Sequence, residues 1–326
     1  MYVSHCNVPS LTAIALQNGS FAPLFDASSL KPRILHEATD PTLHVQHFLH
    51  QTKALLREGG ATPPVWLRAN GKSDIIIVGA TAVSEIELLL ARPNSGLKGG
   101  EALKGKVLGL SDVIATVDVH RVRALRAYET ALATAGLDLA AVTLKNIQPS
   151  YVNWQVSGRE GGWPLASERA LLEGEVDIIY ARGVSAIALR EKYGLDTVLD
   201  FRESGGPHST EVVRPITVHR HLLNDNPQLI LDYINLLQTT ARWARANPEK
   251  MTELVSINLG TTPQNLLVAY GDTPWSGMDI SLTQDRVESL QSEADFLFRH
   301  KFIEAPVAMG EWIKTDHRLI CQRLEP

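Results

Sequence analysis

Cysteine is almost absent from this chain: 326 residues carry two, Cys6 and Cys321. Two thiols so far apart give neither a disulfide framework nor a metal-binding spacing, so both are expected to be free. A strong charge of either sign is also missing. The 31 Lys and Arg against 36 Asp and Glu leave a net charge of −5, which removes the electrostatic case for a nucleic-acid partner, where a clustered basic face is needed. Long hydrophobic runs are lacking too. IALQNGSFAPLF and DIIIVGATAV are the most apolar segments, and both break off well before the roughly 18 residues of a membrane span. The opening MYVSHC has neither the basic start nor the apolar stretch of a secretory signal. The expectation is a cytoplasmic protein with no membrane partner.

What is present is a regular alternation of strand-like and helix-like segments, in a chain long enough for two lobes. Tyr2 to Ser4 reads as a short strand, SHCN as a turn, and Pro9 to Gln17 as a helix stopped by Gly19. SDIIIVGA, KGKVLGLS, VTLKNI, GEVDIIYAR and TVLDF read as strands, and VHRVRALRAYETALATAGL as a long helix. VVRPITVHRHLL is read as a strand returning to the first lobe, with His219 and His221 on one face. The C-terminal third reads as helical, its segments preceded by Asn-Pro or Asp start signals. The expected fold is α/β, mostly parallel, with lobe I formed by 1–98 and 205–326 and lobe II by 99–204. A lobe that starts, leaves and returns is the layout of type II periplasmic binding proteins, whose ligands sit in the cleft between lobes. GREGGWP at 158–164 and ESGGPHS at 203–209 read as loops.

Cys6 falls where the first strand gives way to the first helix, with Pro9 expected at or near the first helical position. There, free backbone N–H groups and the positive dipole end would face the sulfur and favour a reactive thiol; the competing expectation is a small buried hydrophobe. HVQHFLHQTKALLREGGATPP, residues 44–64, places His44, His47 and His50 at a spacing of three, which a helix would bring loosely to one side. The pattern has no nearby carboxylates, so no metal is assigned. Arg57 offers a planar fork suited to a carboxylate or sulfinate, and Gly59 and Gly60 would let backbone amides approach that anion. Phe48, Trp154 and Trp163 are the aromatic side chains suited to a cleft wall.

SHCNVPS, the pair His47-Phe48 with Arg57 ten residues after the histidine, and the GG..PP pattern at 59–64 resemble the active-site sequence of the 2'-hydroxybiphenyl-2-sulfinate desulfinase family. GLS at 109–111, GEVDIIY at 174–180, ARWAR at 241–245, NLG at 258–260 and FIEAPVAMGEWI at 302–313 have counterparts in the same order. The resemblance therefore runs through nearly the whole chain. It departs at His5, where the family pattern usually has asparagine, and between Ser111 and His120, which is shorter than its counterpart. The resemblance implies a monomeric cytoplasmic hydrolase of a carbon–sulfur bond, acting on a small aromatic sulfinate on a periplasmic-binding-protein-like scaffold without metal or organic cofactor. It implies Cys6, His47 and Arg57 as catalytic residues and Gly60 as a substrate-binding one; Phe48 and Trp154 join Gly60 as substrate-binding candidates by residue type. Cys6 would either attack sulfur or protonate the ring carbon. The alternatives are a non-catalytic binder of a small sulfonate or carboxylate anion, and another carbon–sulfur or carbon–carbon bond-cleaving enzyme on the same scaffold.

Overall fold

The structure, a computed structural model, describes residues 1–27, 30, 32–40, 43–52, 54–71, 74–112, 117–148, 163–203 and 211–324. The chain divides into two compact units, 1–83 with 212–260 and 273–326, and 84–211 with 261–272. The first crossing thus falls after Val83 rather than after 98, because the strand 87–91 hydrogen-bonds into the second sheet.

In the first unit β1 (Tyr2–His5) runs parallel to β2 (Arg33–Ile34) and β3 (Leu55–Glu58), and β10 (Glu211–His219) lies antiparallel to β3. With β4 (Ile75–Ser84) at the far edge, the order is β2-β1-β3-β10-β4. The returning strand is therefore where the sequence pattern put it, but it ends at His219. His221 lies in the following helix α8 (Arg220–Asp225), so the two histidines do not share a strand face, although their ring centroids are 5.3 Å apart. β3 is central and all four of its residues are buried, Arg57 and Glu58 among them. Leu55, Leu56, Val3 and Ile216 fill the core of this unit with Leu11 and Ile14 from α1 (Leu11–Gln17). Each such side chain contributes about 1.5–3 kcal/mol by leaving water. Long helices from the C-terminal third, α9 (Pro227–Ala246) above all, complete the unit, and Tyr233 of α9 hydrogen-bonds Thr12 of α1 at 2.8 Å.

In the second unit β6 (Val107–Ser111) is parallel to β7 (Thr143–Ile147) and β8 (Ile178–Arg182), while β5 (Glu87–Ala91) is antiparallel to β8 and to β9 (Asp196–Asp200). Both sheets are mixed rather than mostly parallel. The long helix expected after β6 is α5 (Val119–Thr134), capped by the Asp118 side chain on the Arg121 amide at 2.9 Å. Trp163 opens α6 (Trp163–Leu172). Trp154, most of the 158–164 loop and most of the 203–209 loop lie outside the described residues. No helix among the described residues is long and apolar enough to cross a membrane.

Candidate active site

Register decides which side chains can meet. Ser4 of β1 pairs with Arg57 of β3, and Arg57 pairs with Thr217 of β10. Side chains of paired residues project to the same face of a sheet, so these three form a row across it. Segment 44–50 covers the row. His47 Nδ1 is 2.6 Å from Ser4 Oγ, and His50 Nε2 is 3.3 Å from Thr217 Oγ1. The expected helix through three histidines is only one turn, α3 (Gln46–Leu49). His44 lies before it, with Nε2 2.9 Å from the Ala38 carbonyl, and His50 ends it in the left-handed region at φ 50°. The three histidines thus go to three different places. Among the described residues no cluster of three or more His, Cys, Asp and Glu side chains is arranged to hold a metal ion.

Cys6 follows β1 and is half-buried, its sulfur 3.4 Å from His47 Nε2. The helix-end explanation for its reactivity does not hold. Pro9 lies ahead of the helix, Ser10 is the N-cap, and α1 begins at Leu11. The first free amides do not face sulfur: Leu11 N–H and Thr12 N–H donate to the Glu58 carboxyl at 3.2 and 2.8 Å, and Ala13 N–H donates to Ser10 Oγ at 3.3 Å. The partners of the thiol are instead an imidazole and, in its electrostatic field, the guanidinium of Arg57.

Arg57 is 1% exposed. Nε donates to the His47 carbonyl at 2.7 Å and Nη2 to the Gly60 carbonyl at 3.0 Å. Nη1 is buried and has no hydrogen-bond partner among the described residues. Burial lowers the Arg57 pKa to about 10, with the Cys6 thiol opposing the shift. A buried guanidinium with a donor unused is costly on its own, and an anion placed against Nη1 would remove that cost. His47, 1% exposed, has a pKa held well below the usual imidazole value by burial first and then by the Arg57 charge and neighbouring histidines. It is therefore neutral at physiological pH. Ser4, His47 and Cys6 form a hydrogen-bonded chain; in the tautomer that donates Nδ1–H to Ser4, Nε2 is the acceptor for the thiol.

Neither glycine amide is seen in the role expected of it. The Gly60 carbonyl, not its amide, is the group seen in use, and an added Cβ there would meet nothing within 4 Å. At Gly59 an added Cβ would fall 2.8 Å from Arg57 Nη2 and 2.9 Å from His47 Nε2, and its amide donates to the Pro215 carbonyl at 3.4 Å. Phe48 is half-buried with its ring 5.2 Å from that of His47 in an edge-on contact. His5 holds the turn from the other side: its Nδ1 is 2.9 Å from the Cys6 carbonyl and its ring packs edge-on to His36 at 4.4 Å.

The structure thus brings Cys6, His47, Arg57 and Gly60 together, with Phe48 beside them. Reading the sequence missed Ser4, Glu58 and Thr217. Glu58 had one available signal: it is an acidic residue inside an apolar strand pattern.

No protein-family model matches this sequence, and no curated protein does. Solved structures do match it in fold. DSZB, as a cysteine-to-serine variant in complex with biphenyl-2-sulfinic acid, superposes with a TM-score of 0.76 at 20% identity, over 98% of this chain and 98% of that one. A second structure, of the desulfurization enzyme DSZB, gives 0.74 at 19% identity over 97% and 99%. The periplasmic aliphatic sulphonate binding protein SsuA from Escherichia coli gives 0.68 at 14% identity over 96% and 91%. The chain therefore has the α/β fold of periplasmic-binding-protein-like proteins, shared by an enzyme of desulfurization and by sulfonate binders.

Proposed function

We propose that the protein is a desulfinase, cleaving the carbon–sulfur bond of an aryl sulfinate to release sulfite and the arene. The observation that carries this reading is the unpartnered Nη1 of the buried Arg57, whose Nε donates to the His47 carbonyl and whose charge acts on both the Cys6 thiol and the neutral His47 imidazole. The likeness to DSZB, one structure of which contains biphenyl-2-sulfinic acid, supports it. Phe48 and, outside the described residues, Trp154 are assigned to the aryl ring.

Arg57 holds the sulfinate oxygens in a site poor in water, where a fixed charge acts more strongly than in solution. An imidazolium at His47 would be buried against the Arg57 cation, so His47 passes a proton rather than storing one. The ring π electrons take the Cys6 thiol proton at the sulfur-bearing carbon, and the carbon–sulfur pair returns to the ring as sulfur dioxide leaves. Water adds to sulfur dioxide to give bisulfite, and the proton released returns through His47 Nε2 to the Cys6 sulfur. One water is consumed and the thiol is regenerated.

The rival reading, a binder of a small sulfonate, draws on the likeness to SsuA. Incubating the protein with biphenyl-2-sulfinate and a panel of simpler aryl sulfinates, and assaying sulfite and arene, separates the two. Both products in equal amounts are expected. A ligand-induced rise in melting temperature without either product favours the binder.

A further inference from the structure

We infer that Glu58 is a positioning residue: it clamps both ends of the turn that carries Cys6 and so sets the thiol against His47. The inference rests on the proposed role of Cys6. β3 alternates, sending Arg57 to the face with Ser4 and Thr217 and Glu58 to the opposite face, where α1 packs. The turn between β1 and α1 is residues 6–10. At its start, the Cys6 amide donates to the Glu58 main-chain carbonyl at 3.1 Å. At its end, the Glu58 carboxyl accepts from the amides of Leu11 at 3.2 Å and Thr12 at 2.8 Å. Thr81 of β4 donates its hydroxyl to the same carboxyl at 2.9 Å and fixes its rotamer. Glu58 is fully buried, so no water substitutes for these contacts.

A three-donor environment is matched by a carboxyl, both of whose oxygens accept, and is mismatched by an amide, whose NH2 must face an N–H or the Thr81 hydroxyl. Glu58→Gln keeps the volume and the main-chain contact and disrupts only the far end of the turn. Arg57 retains its supports on the His47 and Gly60 carbonyls, which Glu58 does not touch. The clamp therefore acts on the thiol and not on anion binding.

The test uses Cys321→Ser protein, so that Cys6 is the sole thiol, with and without Glu58→Gln. Turnover of biphenyl-2-sulfinate is expected to fall about thirtyfold or more, and its binding constant, measured with Cys6→Ser added, to change less than about threefold. A bulky maleimide, whose access to half-buried Cys6 limits its reaction, should modify the variant about tenfold faster under native conditions. A residue that merely stabilised the fold would move neither quantity well below the melting temperature. Native turnover with a native maleimide rate overturns the inference. Should wild-type protein release no sulfite, the desulfinase reading fails while the maleimide comparison still decides the clamp. Thr81→Val, which removes one donor and keeps shape, should move the maleimide rate in the same direction by about threefold; if Glu58→Gln does not fold, an unchanged rate in Thr81→Val overturns the inference.

Discussion

Gly59 sits where the site tolerates least change. A methyl group there would press on Arg57 Nη2, Arg57 Cζ and His47 Nε2 at 2.8 to 2.9 Å, distances at which something must move. What moves are the Arg57 guanidinium and the imidazole beside the thiol. Gly59→Ala is expected to lower kcat/KM for an aryl sulfinate by about 100-fold, the usual consequence of a displacement near 1 Å among reacting groups. Gly60→Ala adds its methyl to open space, and its loss should be far smaller. Steady-state kinetics of both variants, with circular dichroism to confirm folding, check this; equal losses would show that crowding at Gly59 does not set the geometry.

Among the elements, segment 33–50 depends most on protonation. His36 and His47 from this segment meet His5 of β1, His47 and His50 meet Arg57 of β3, His50 meets Thr217 and His219 of β10, and His44 packs within the segment itself; Glu58 faces His5, and His221 of α8 faces His219. Burial is the first cause in lowering His5, His47 and His50, and it takes His36 to about 3 and His219 to about 4. Each of these groups is neutral in the folded state and takes a proton more readily when released. Their contribution is complete above pH 6.5 and is lost as pH falls below it, at up to about 1.4 kcal/mol per pH unit for a fully buried imidazole. Asp316, anchoring α13 (Met309–Leu324) to the Ile77 amide, runs the other way: burial raises it to about 6, so it gains stability as pH falls from 6 toward 4. One carboxyl does not offset five histidines. Melting temperature should drop steeply between pH 6.5 and 5, with proteolytic cleavage within 33–50 appearing first; a flat profile over that range contradicts the placement of these rings.

Much of this element's neighbourhood was open to sequence reading, and some was not. Cys6 and Arg57 stood out as candidates by residue type and setting, and His47 through the resemblance to the desulfinase family; the structure brings the three together. Their support was not legible, because Ser4, Glu58 and Thr217 join them only through strand register, and β10 is more than 150 residues from β3. The helix expected over His44 to His50 shrank to a turn because His47 and His50 bind the sheet face instead of following a helical stripe. Pro9 misplaced the start of α1 by two residues because Ser10 is the better cap.

At the scale of the whole molecule, the strand alternation was enough to identify an α/β chain, and the pairing directions were not, since antiparallel β5 and β10 look like any buried strand until they pair. The fold is common to DSZB and to sulfonate-binding proteins, so it does not distinguish catalysis from binding. The distinction lies in the thiol beside the guanidinium. A binder has no need of the Cys6 sulfur, whereas desulfination by the proposed route stops without it. The most direct measurement is sulfite released from saturating biphenyl-2-sulfinate by wild-type protein and by Cys6→Ser. Continuous release by the wild type, with none above background from a folded, ligand-binding Cys6→Ser, is the expected result; equal release from both, or none from either, contradicts the assignment of Cys6 as the group that breaks the carbon–sulfur bond.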